Sequence, residues 1–140
     1  MTYGHMRNAS AMYQQTRAQG SVEGADPHQL TAMLLDGAIE RIAQTRAHIR
    51  HRDVAAKGAA ISRAVAIVGE LRASLDHEAG STLAGRLDAL YDYLTRRLLV
   101  AQLDDDDAAL AECAGLLGQV RDGWSGIREA YLAGRGAGAA

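Results

Sequence analysis

The side chains that could carry chemistry in this sequence are five histidines, one cysteine and a set of regularly spaced aspartates. His48 and His51 are three residues apart, a spacing at which two imidazoles on one helix face could share a zinc ion. They lie at the end of a basic segment that has no nearby cysteine, and Asp53 is the acidic residue beside them. We interpret the pair as a charged helix terminus and expect no metal.

His28 is the candidate for histidine phosphotransfer, a reaction in which a helical bundle uses an imidazole as the nucleophile. That reaction calls for a histidine in mid-helix on a solvated face, whereas His28 falls in the first turn of a predicted helix. The Glu-x-x-His motif of di-iron bundles does not occur in the sequence. Histidine phosphotransfer or metal binding by a four-helix bundle remains the alternative function.

Asp88, Asp92 and Arg96 follow one another at steps of four, so they share one surface of a helix. The Asp92–Arg96 spacing predicts an ion pair of about 0.2–0.5 kcal/mol. Paired carboxylates without a base, a metal ligand or a pocket do not make a catalyst. Cys113 lies on an apolar seam, where a small buried side chain fits better than a reactive thiol. These residues predict neither an enzyme nor a cofactor.

The composition bounds the class of protein. The 140 residues suffice for one domain, and one proline, no phenylalanine and 48% hydrophobic residues favour helices over strands. A net charge of −2 does not favour nucleic acid or an anionic membrane. One cysteine cannot form an internal disulfide, and the sequence shows neither a secretory signal nor an apolar run that could span a bilayer. We expect a cytoplasmic protein that does not insert into the membrane.

The order of breaks and apolar repeats predicts the elements that would position these side chains. Residues 1–25 read as a flexible arm, in which residues 10–19 could form a short helix. Asp26 as cap, Pro27 at the first position and Gln29 three residues after the cap predict a helix start, and that helix should end near Arg50.

Three more helices follow in the sequence. Asp53 is the expected cap of the second, which Gly80 would end, and the third covers residues 83–103. The acidic run 104–107 reads as a solvated turn whose last members cap the fourth helix. That helix has an apolar seam at steps of three and four: Leu110, Cys113, Leu117, Val120, Trp124, Ile127 and Tyr131. The pattern predicts an all-α, antiparallel up-down four-helix bundle over residues 26–132 and a disordered tail over 133–140.

The third predicted helix carries more apolar residues than one face needs. One stripe is formed by Leu83, Leu87, Leu90, Leu94, Leu98 and Ala101, and Val100 lies off that stripe. The apolar residues that cannot all face one four-helix interior are Met33, Leu35, Ile39, Ile67, Tyr91, Leu99 and Leu103. Together they favour an exposed groove for a partner helix.

Short segments in the arm and along nearly the whole predicted bundle match, in order, the motifs of a known protein family. They are Tyr13-Gln14-Gln15, Pro27-His28-Gln29-Leu30, MLLDGAI at 33–39, Glu70-Leu71 to Leu75-Asp76, LYDYLTRRL at 90–98, and Leu116-Leu117 with Arg121 and Trp124. In this combination the chain resembles the FliS family, the cytoplasmic chaperones of flagellin export in flagellated bacteria.

The resemblance implies a four-helix bundle that binds the C-terminal segment of new flagellin, prevents its premature polymerisation and delivers it to the flagellar type III export gate. It also implies that the tyrosine-bearing arm takes part in delivery and folds over the groove when cargo is absent. The partner contacts that it implies are Tyr13, Met33, Leu34, Ile67, Leu71, Leu90, Tyr91 and Leu94. Leu71, Leu90 and Leu94 fit a purely structural core role equally well, and the sequence leaves both roles open.

Overall fold

A computed structural model describes residue 24, residues 26–77 and residues 82–127. In this part of the chain there are four helices: α1 (Pro27–Arg50), α2 (Val54–Ala73), α3 (Thr82–Asp104) and α4 (Asp107–Gly126). Each helix packs against the next one, and α4 packs back against α1. The short turns 51–53 and 105–106 reverse the chain, so neighbouring helices run antiparallel. The predicted all-α four-helix bundle is confirmed.

The start of α1 has the predicted capping box. The Gln29 backbone N–H donates to Asp26 Oδ1 at 2.8 Å, and the Asp26 backbone N–H donates to Gln29 Oε1 at 3.1 Å. Pro27 occupies the first helical position, where a missing N–H costs nothing because it would have no partner within the helix. These contacts fix where α1 begins.

The two short turns lie at the same end of the bundle and have the same geometry. Arg52 and Asp105 adopt left-handed backbone conformations, with φ of 56° and 51°. In the first turn the Asp53 N–H donates to the His48 carbonyl at 2.9 Å, which satisfies an end carbonyl of α1. Asp53 then caps α2 and Asp106 caps α4, as predicted.

The end of α2 comes earlier than predicted, at Ala73 instead of near Gly80. The Ser74 hydroxyl donates to the Leu71 carbonyl at 2.8 Å, and the Leu75 N–H donates to the Arg72 carbonyl at 3.2 Å. A serine side chain that bonds to a nearby carbonyl competes with the helical pattern, which favours an end at this point. The predicted arm helix, the extension of α4 to residue 132 and the tail lie outside the described residues.

The core runs along the axis of the bundle, and the stripe of α3 that faces it differs from the predicted one. Leu94, Leu98 and Ala101 are buried as expected, but Tyr91 is 2% exposed and Leu83 is 50% exposed. Tyr91 lies seven residues, or two turns, before Leu98, so it returns to the same side of the helix. The core side chains are Leu35, Ala38, Ile42, Ile61, Ala64, Val68, Leu71, Tyr91, Leu94, Leu98, Ala101, Ala109, Leu110, Cys113 and Leu117.

Candidate partner-binding site

Large apolar side chains remain exposed along the second half of α3. Leu103 is 84% exposed, Leu99 is 46% exposed and Val100 is 39% exposed. Leu99 and Leu103 are one turn apart on the same side of the helix and belong to the predicted surplus of apolar residues. Exposed apolar residues that cluster on one helix of a small domain typically mark a binding surface.

Leu99 forms one wall of a shallow groove between α2 and α3. The cavity in this groove measures about 490 Å³. We call it the α2–α3 groove, and its lining residues are Ser62, Val65, Ala66, Gly69, Glu70, Ala73, Leu99 and Gln102. α2 presents mostly small side chains to the groove, and small side chains leave space in which a third helix can approach closely.

The small residues of the groove follow a helical repeat. Ser62, Ala66, Gly69 and Ala73 succeed one another at steps of four, three and four, so they form one straight stripe on α2. Apart from its chain neighbours and the nearby backbone of α2 itself, no atom comes within 4 Å of the position that a Cβ would take on Gly69. The groove is therefore open space above α2. This stripe is visible in the sequence, but sequence reasoning that looked for large apolar residues missed it.

Ion pairs connect α2 to α3 and to the turn that follows α3. Arg72 Nε donates to Asp88 Oδ1 at 2.7 Å, and Arg72 also reaches Asp92 at 3.1 Å. This contact with the Arg72 guanidinium holds the pKa of Asp88 below its usual value. The predicted Asp92–Arg96 ion pair is confirmed at 3.1 Å. The Arg72 contacts thus join the end of α2 to the first half of α3, the two helices that line the groove.

A second cavity of about 300 Å³ lies where α1 and α3 begin and α2 and α4 end. We call it the end pocket. Its lining is mostly apolar and comes from all four helices: Pro27, His28, Thr31, Leu71, Ser74, Leu75, Asp76, Leu83, Ala84, Leu87, Tyr91, Trp124 and Ile127.

A reciprocal pair of hydrogen bonds forms one wall of the end pocket. The Trp124 indole N–H donates to the His28 carbonyl at 2.8 Å, and His28 Nε2 lies 2.7 Å from the Trp124 carbonyl oxygen, to which it donates as the protonated nitrogen. The two rings are stacked, with centroids 4.7 Å apart. His28 is 3% exposed and joins the first turn of α1 to the end of α4. A buried structural histidine of this kind is unlike a phosphotransfer nucleophile, which needs solvent access.

The family model described as flagellar protein FliS matches residues 8–131 of the chain. The chain belongs to the FliS family. The flagellar secretion chaperone FliSB of Pseudomonas aeruginosa is 41% identical over 119 residues, which cover 85% of this chain and 94% of that protein. The flagellar secretion chaperone FliS of Salmonella typhimurium is 42% identical over 116 residues, which cover 82% and 86% of the two chains.

A third relative has the same printed name. The flagellar secretion chaperone FliS of Bacillus subtilis is 34% identical over 106 residues, which cover 76% of this chain and 78% of that protein. FliS is a chaperone family and not a family of enzymes. The resemblance inferred from the sequence and the expectation of a chaperone of flagellar export are therefore confirmed.

Three of the contact residues implied by the FliS resemblance lie in the core. Leu94 is fully buried, so its core role is the one that the fold supports. Leu71 and Tyr91 are also buried, at 1% and 2% exposure, but each also lines the end pocket. Burial raises the pKa of the Tyr91 phenol to about 12. The hypothesis that Tyr91 is surplus to the core is wrong.

Of the other implied contacts, those in the described residues are partly buried. Leu34, Ile67 and Leu90 are partly buried against the core. Met33 lines a separate crevice of about 310 Å³ between α1 and α4. Tyr13 lies outside the described residues. The groove and the end pocket are thus built largely from residues that the resemblance did not supply.

Some residues predicted to be surplus to the interior are instead part of it. Leu35 is fully buried, and Ile39 packs against the core. Both side chains fit there because the interior of the bundle contacts a wider sector of α1 than a single narrow stripe of residues. Leu99 and Leu103 are the members of the predicted surplus that stay exposed.

No group of three histidine, cysteine, aspartate or glutamate side chains within residues 26–77 and 82–127 could hold a metal ion. Cys113 is fully buried, as its place on the seam predicts. In the same described ranges, none of the helices is both long and apolar enough to cross a membrane.

Proposed function

We propose that the α2–α3 groove binds an amphipathic helix from the C-terminal segment of flagellin, and that the chain carries this client through the cytoplasm to the flagellar export gate. The observation that carries the proposal is the open apolar groove between α2 and α3, with exposed Leu99 on its wall. Membership of a family of flagellar secretion chaperones makes a flagellar protein the expected client.

The geometry of the groove suits a helix that presents large aliphatic side chains. The stripe from Ser62 to Ala73 spans eleven helical steps, or about 17 Å, which equals about three turns of a bound helix. Small residues on α2 leave room for leucine or isoleucine side chains of the client, and Leu99 supplies apolar contact on the other wall. Burial of these surfaces contributes most of the binding free energy.

A client of this kind needs a chaperone for a physical reason. The terminal helices of flagellin pack against other copies in the filament, so their apolar stripes would associate prematurely if they were left exposed. A client segment that is disordered when free loses conformational entropy when it folds on the groove, which keeps the complex reversible. A chaperone that covers the apolar stripes reversibly can release the client for later export.

Calorimetric titration of the full chain with a synthetic flagellin C-terminal peptide tests the proposal. We expect binding at micromolar concentrations or below with a markedly negative heat-capacity change. Leu99→Glu should weaken binding by about tenfold or more because it places a charge on the apolar wall. The absence of heat with the unmodified chain would refute the flagellin assignment.

Val54→Glu is the matched control, because Val54 is an exposed apolar residue at the start of α2 that does not line the groove. Its affinity should stay within about twofold of the unmodified chain. Gly69→Leu should also weaken binding while the bundle stays stable, since the added side chain meets open space in the groove. Normal binding by both Leu99→Glu and Gly69→Leu would show that the client uses another surface.

The proposed role of the Tyr13-bearing arm can be read in the same assay. If the arm covers the groove in the absence of cargo, deletion of residues 1–19 removes a competitor and raises peptide affinity. Unchanged or weaker affinity would show that the arm does not compete.

A further inference from the structure

The end of the bundle that holds the two short turns has a cluster of cations where α1 ends. Residues 46–52 contain three arginines and two histidines: Arg46, His48, Arg50, His51 and Arg52. The side chains of residues 50–52 are exposed. The acidic run 104–107 lies at the same end of the bundle, so opposite charges meet there.

The carboxylates at this end are mostly engaged within the fold. Asp107 accepts a hydrogen bond from Arg46 at 2.8 Å, and Asp105 accepts one from Lys57 at 2.6 Å. The caps of α2 and α4 accept hydrogen bonds from backbone N–H groups. Asp104, which is exposed, is the remaining carboxylate of the two turns and their flanks.

The two exposed arginines differ from these carboxylates. Within the described part of the chain, neither the Arg50 nor the Arg52 guanidinium donates a hydrogen bond or forms an ion pair. Arg50 acts on Asp107 through its charge only: the hydrogen bond from Arg46 is the main cause of the lowered pKa of Asp107, and the charge of Arg50 adds to it. The charge left over for a partner at this end is therefore mainly positive.

The end of α1 does not need these guanidinium groups as caps. Backbone N–H groups of residues 51–53 donate to its last carbonyls at 2.9 to 3.1 Å. Arg50 lies in the last turn, where a cation complements the helix dipole, but Arg52 lies beyond the helix.

The backbone of Arg52 gives a second, independent indication. Its φ of 56° is left-handed, a conformation that glycine adopts without steric cost and that aspartate, as at Asp105, tolerates better than most residues. Glycine is the usual residue just after a helix end of this kind. An arginine at this position has a cost in stability, so its side chain indicates a role other than folding.

We propose that Arg50, His51, Arg52 and the adjacent Val54 form a surface that binds an acidic protein segment carrying an aliphatic side chain. We call it the turn-end surface. Guanidinium groups bind carboxylates through paired hydrogen bonds, and a partner's carboxylates would supply the acceptors that the fold does not. Val54 is 72% exposed at the first position of α2, so it offers an apolar contact beside these charges.

A short acidic protein segment fits this surface better than a nucleic acid does. Two guanidinium groups offer few phosphate contacts, whereas many such contacts dominate the binding of nucleic acids. The chain also has a net charge of −2 and an acidic run at the same end, which would repel an extended polyanion. Val54 has no use in phosphate binding but suits a leucine or valine of a protein partner.

Fluorescence anisotropy of the full chain with the labelled synthetic peptide EELEELEELE tests the proposal, and QQLQQLQQLQ is the uncharged control peptide. We expect saturable binding of the acidic peptide that weakens as salt rises from about 50 to about 500 mM, because salt screens exposed charges. The glutamine peptide should bind at least about fivefold more weakly. The absence of saturable binding, or equal binding of the two peptides, would overturn the proposal.

Charge reversal locates the binding surface. Arg50→Glu/Arg52→Glu should weaken binding of the acidic peptide by at least about fivefold. The matched control is Arg86→Glu/Arg96→Glu, which makes the same change in net charge at two exposed arginines of α3 and should stay within about twofold. Equal losses in the two double variants would show that net charge, and not this surface, governs binding.

Arg52→Gly keeps the test decisive if the double variant does not fold. Glycine relieves the left-handed backbone, so the thermal midpoint should rise, while loss of the guanidinium should still weaken the acidic peptide by about twofold or more. A more stable chain that binds the acidic peptide as tightly as before would contradict the proposal.

Two variants separate the turn-end surface from the α2–α3 groove. Val54→Glu should weaken the acidic peptide without affecting the flagellin peptide, and Gly69→Leu should do the reverse. Either site can therefore fail while the other holds. A single-stranded oligonucleotide that displaces the labelled acidic peptide more effectively than the unlabelled peptide does would show that the partner is not a protein segment.

Discussion

At the scale of single residues, burial decides the chemistry of Cys113. Its side chain is fully buried in the core, and burial raises the pKa of the thiol from 9.0 to about 11. The nucleophilic form of a cysteine is the thiolate, so a raised pKa and a closed core both suppress reactivity. Cys113 is thus an apolar packing residue that happens to contain sulfur.

We predict that Cys113 reacts with Ellman's reagent at pH 8 at least about 100-fold more slowly in the native chain than in urea-unfolded chain. The shift of the pKa from 9.0 to about 11 alone lowers the thiolate fraction by about this factor. Stopped-flow absorbance measures both rates, and Cys113→Ser gives the blank. A native rate within a few-fold of the unfolded rate would mean that the thiol is accessible.

At the scale of elements, aspartate caps fix where the helices begin. Asp53 is exposed and accepts a hydrogen bond from the Ala56 backbone N–H at 3.1 Å, which satisfies one of the four free donors at the start of α2. Asp106 does the same for α4. Both caps directly follow a left-handed residue, so each turn combines a helix end and a helix start within two or three residues.

Replacement of the α2 cap should therefore have a measurable cost. Asp53→Ala should lower the free energy of unfolding by about 1 kcal/mol, because the Ala56 N–H loses its acceptor. Urea denaturation followed by circular dichroism measures the change. Asp53→Asn keeps an acceptor and should cost much less, and Asp122→Ala, at an exposed position inside α4, should be close to neutral. Equal costs for all three variants would contradict a capping role.

At the scale of the whole molecule, ion pairs join helices that the turns alone would not hold in register. Arg46 of α1 contacts Asp107 of α4 at 2.8 Å, and Arg97 of α3 contacts Glu112 of α4 at 2.9 Å. Tyr93 also donates to Glu112, at 2.8 Å. Each pair is partly exposed, so its individual contribution to stability is small. Together they favour one arrangement of the four helices over others.

These pairs predict a loss of stability in acid. Hydrogen bonds from their partners hold the pKa values of Asp88, Asp107 and Glu112 below their usual values in the folded chain. The unfolded chain therefore binds protons at higher pH than the folded chain does. The stabilisation is present above the ordinary carboxylate pKa of about 4 and is lost as the pH falls below it.

Chemical denaturation at a series of pH values between 7 and 3 measures this dependence. The slope below about pH 4 should become shallower in Arg72→Gln, which removes the partner of Asp88, and also in high salt, which screens exposed pairs. Equal stability at pH 7 and pH 3 would show that the three carboxylates contribute nothing.

The start of α1 and the cap of α4 were predictable because they depend on neighbouring residues. The Asp26–Gln29 capping box and the Asp106 cap are local contacts, three residues apart in the chain. The end of α2 was not predicted, since Ser74 competes with a helix that the apolar pattern alone would continue. Likewise, the stacking of His28 on Trp124 joins residues 96 positions apart, and no local pattern indicates it.

The sequence by itself determined the helical class, the family and the presence of more apolar surface than a narrow interior stripe needs. Periodicity, caps and family motifs are encoded in residue order, so they can be read without coordinates. Only the tertiary structure decided which apolar residues are surplus: Tyr91 turns into the core, while Leu99 stays outside beside the small residues of α2. The physical reason is that burial depends on the rotation of each helix against its neighbours, and that rotation is set by packing across the whole bundle.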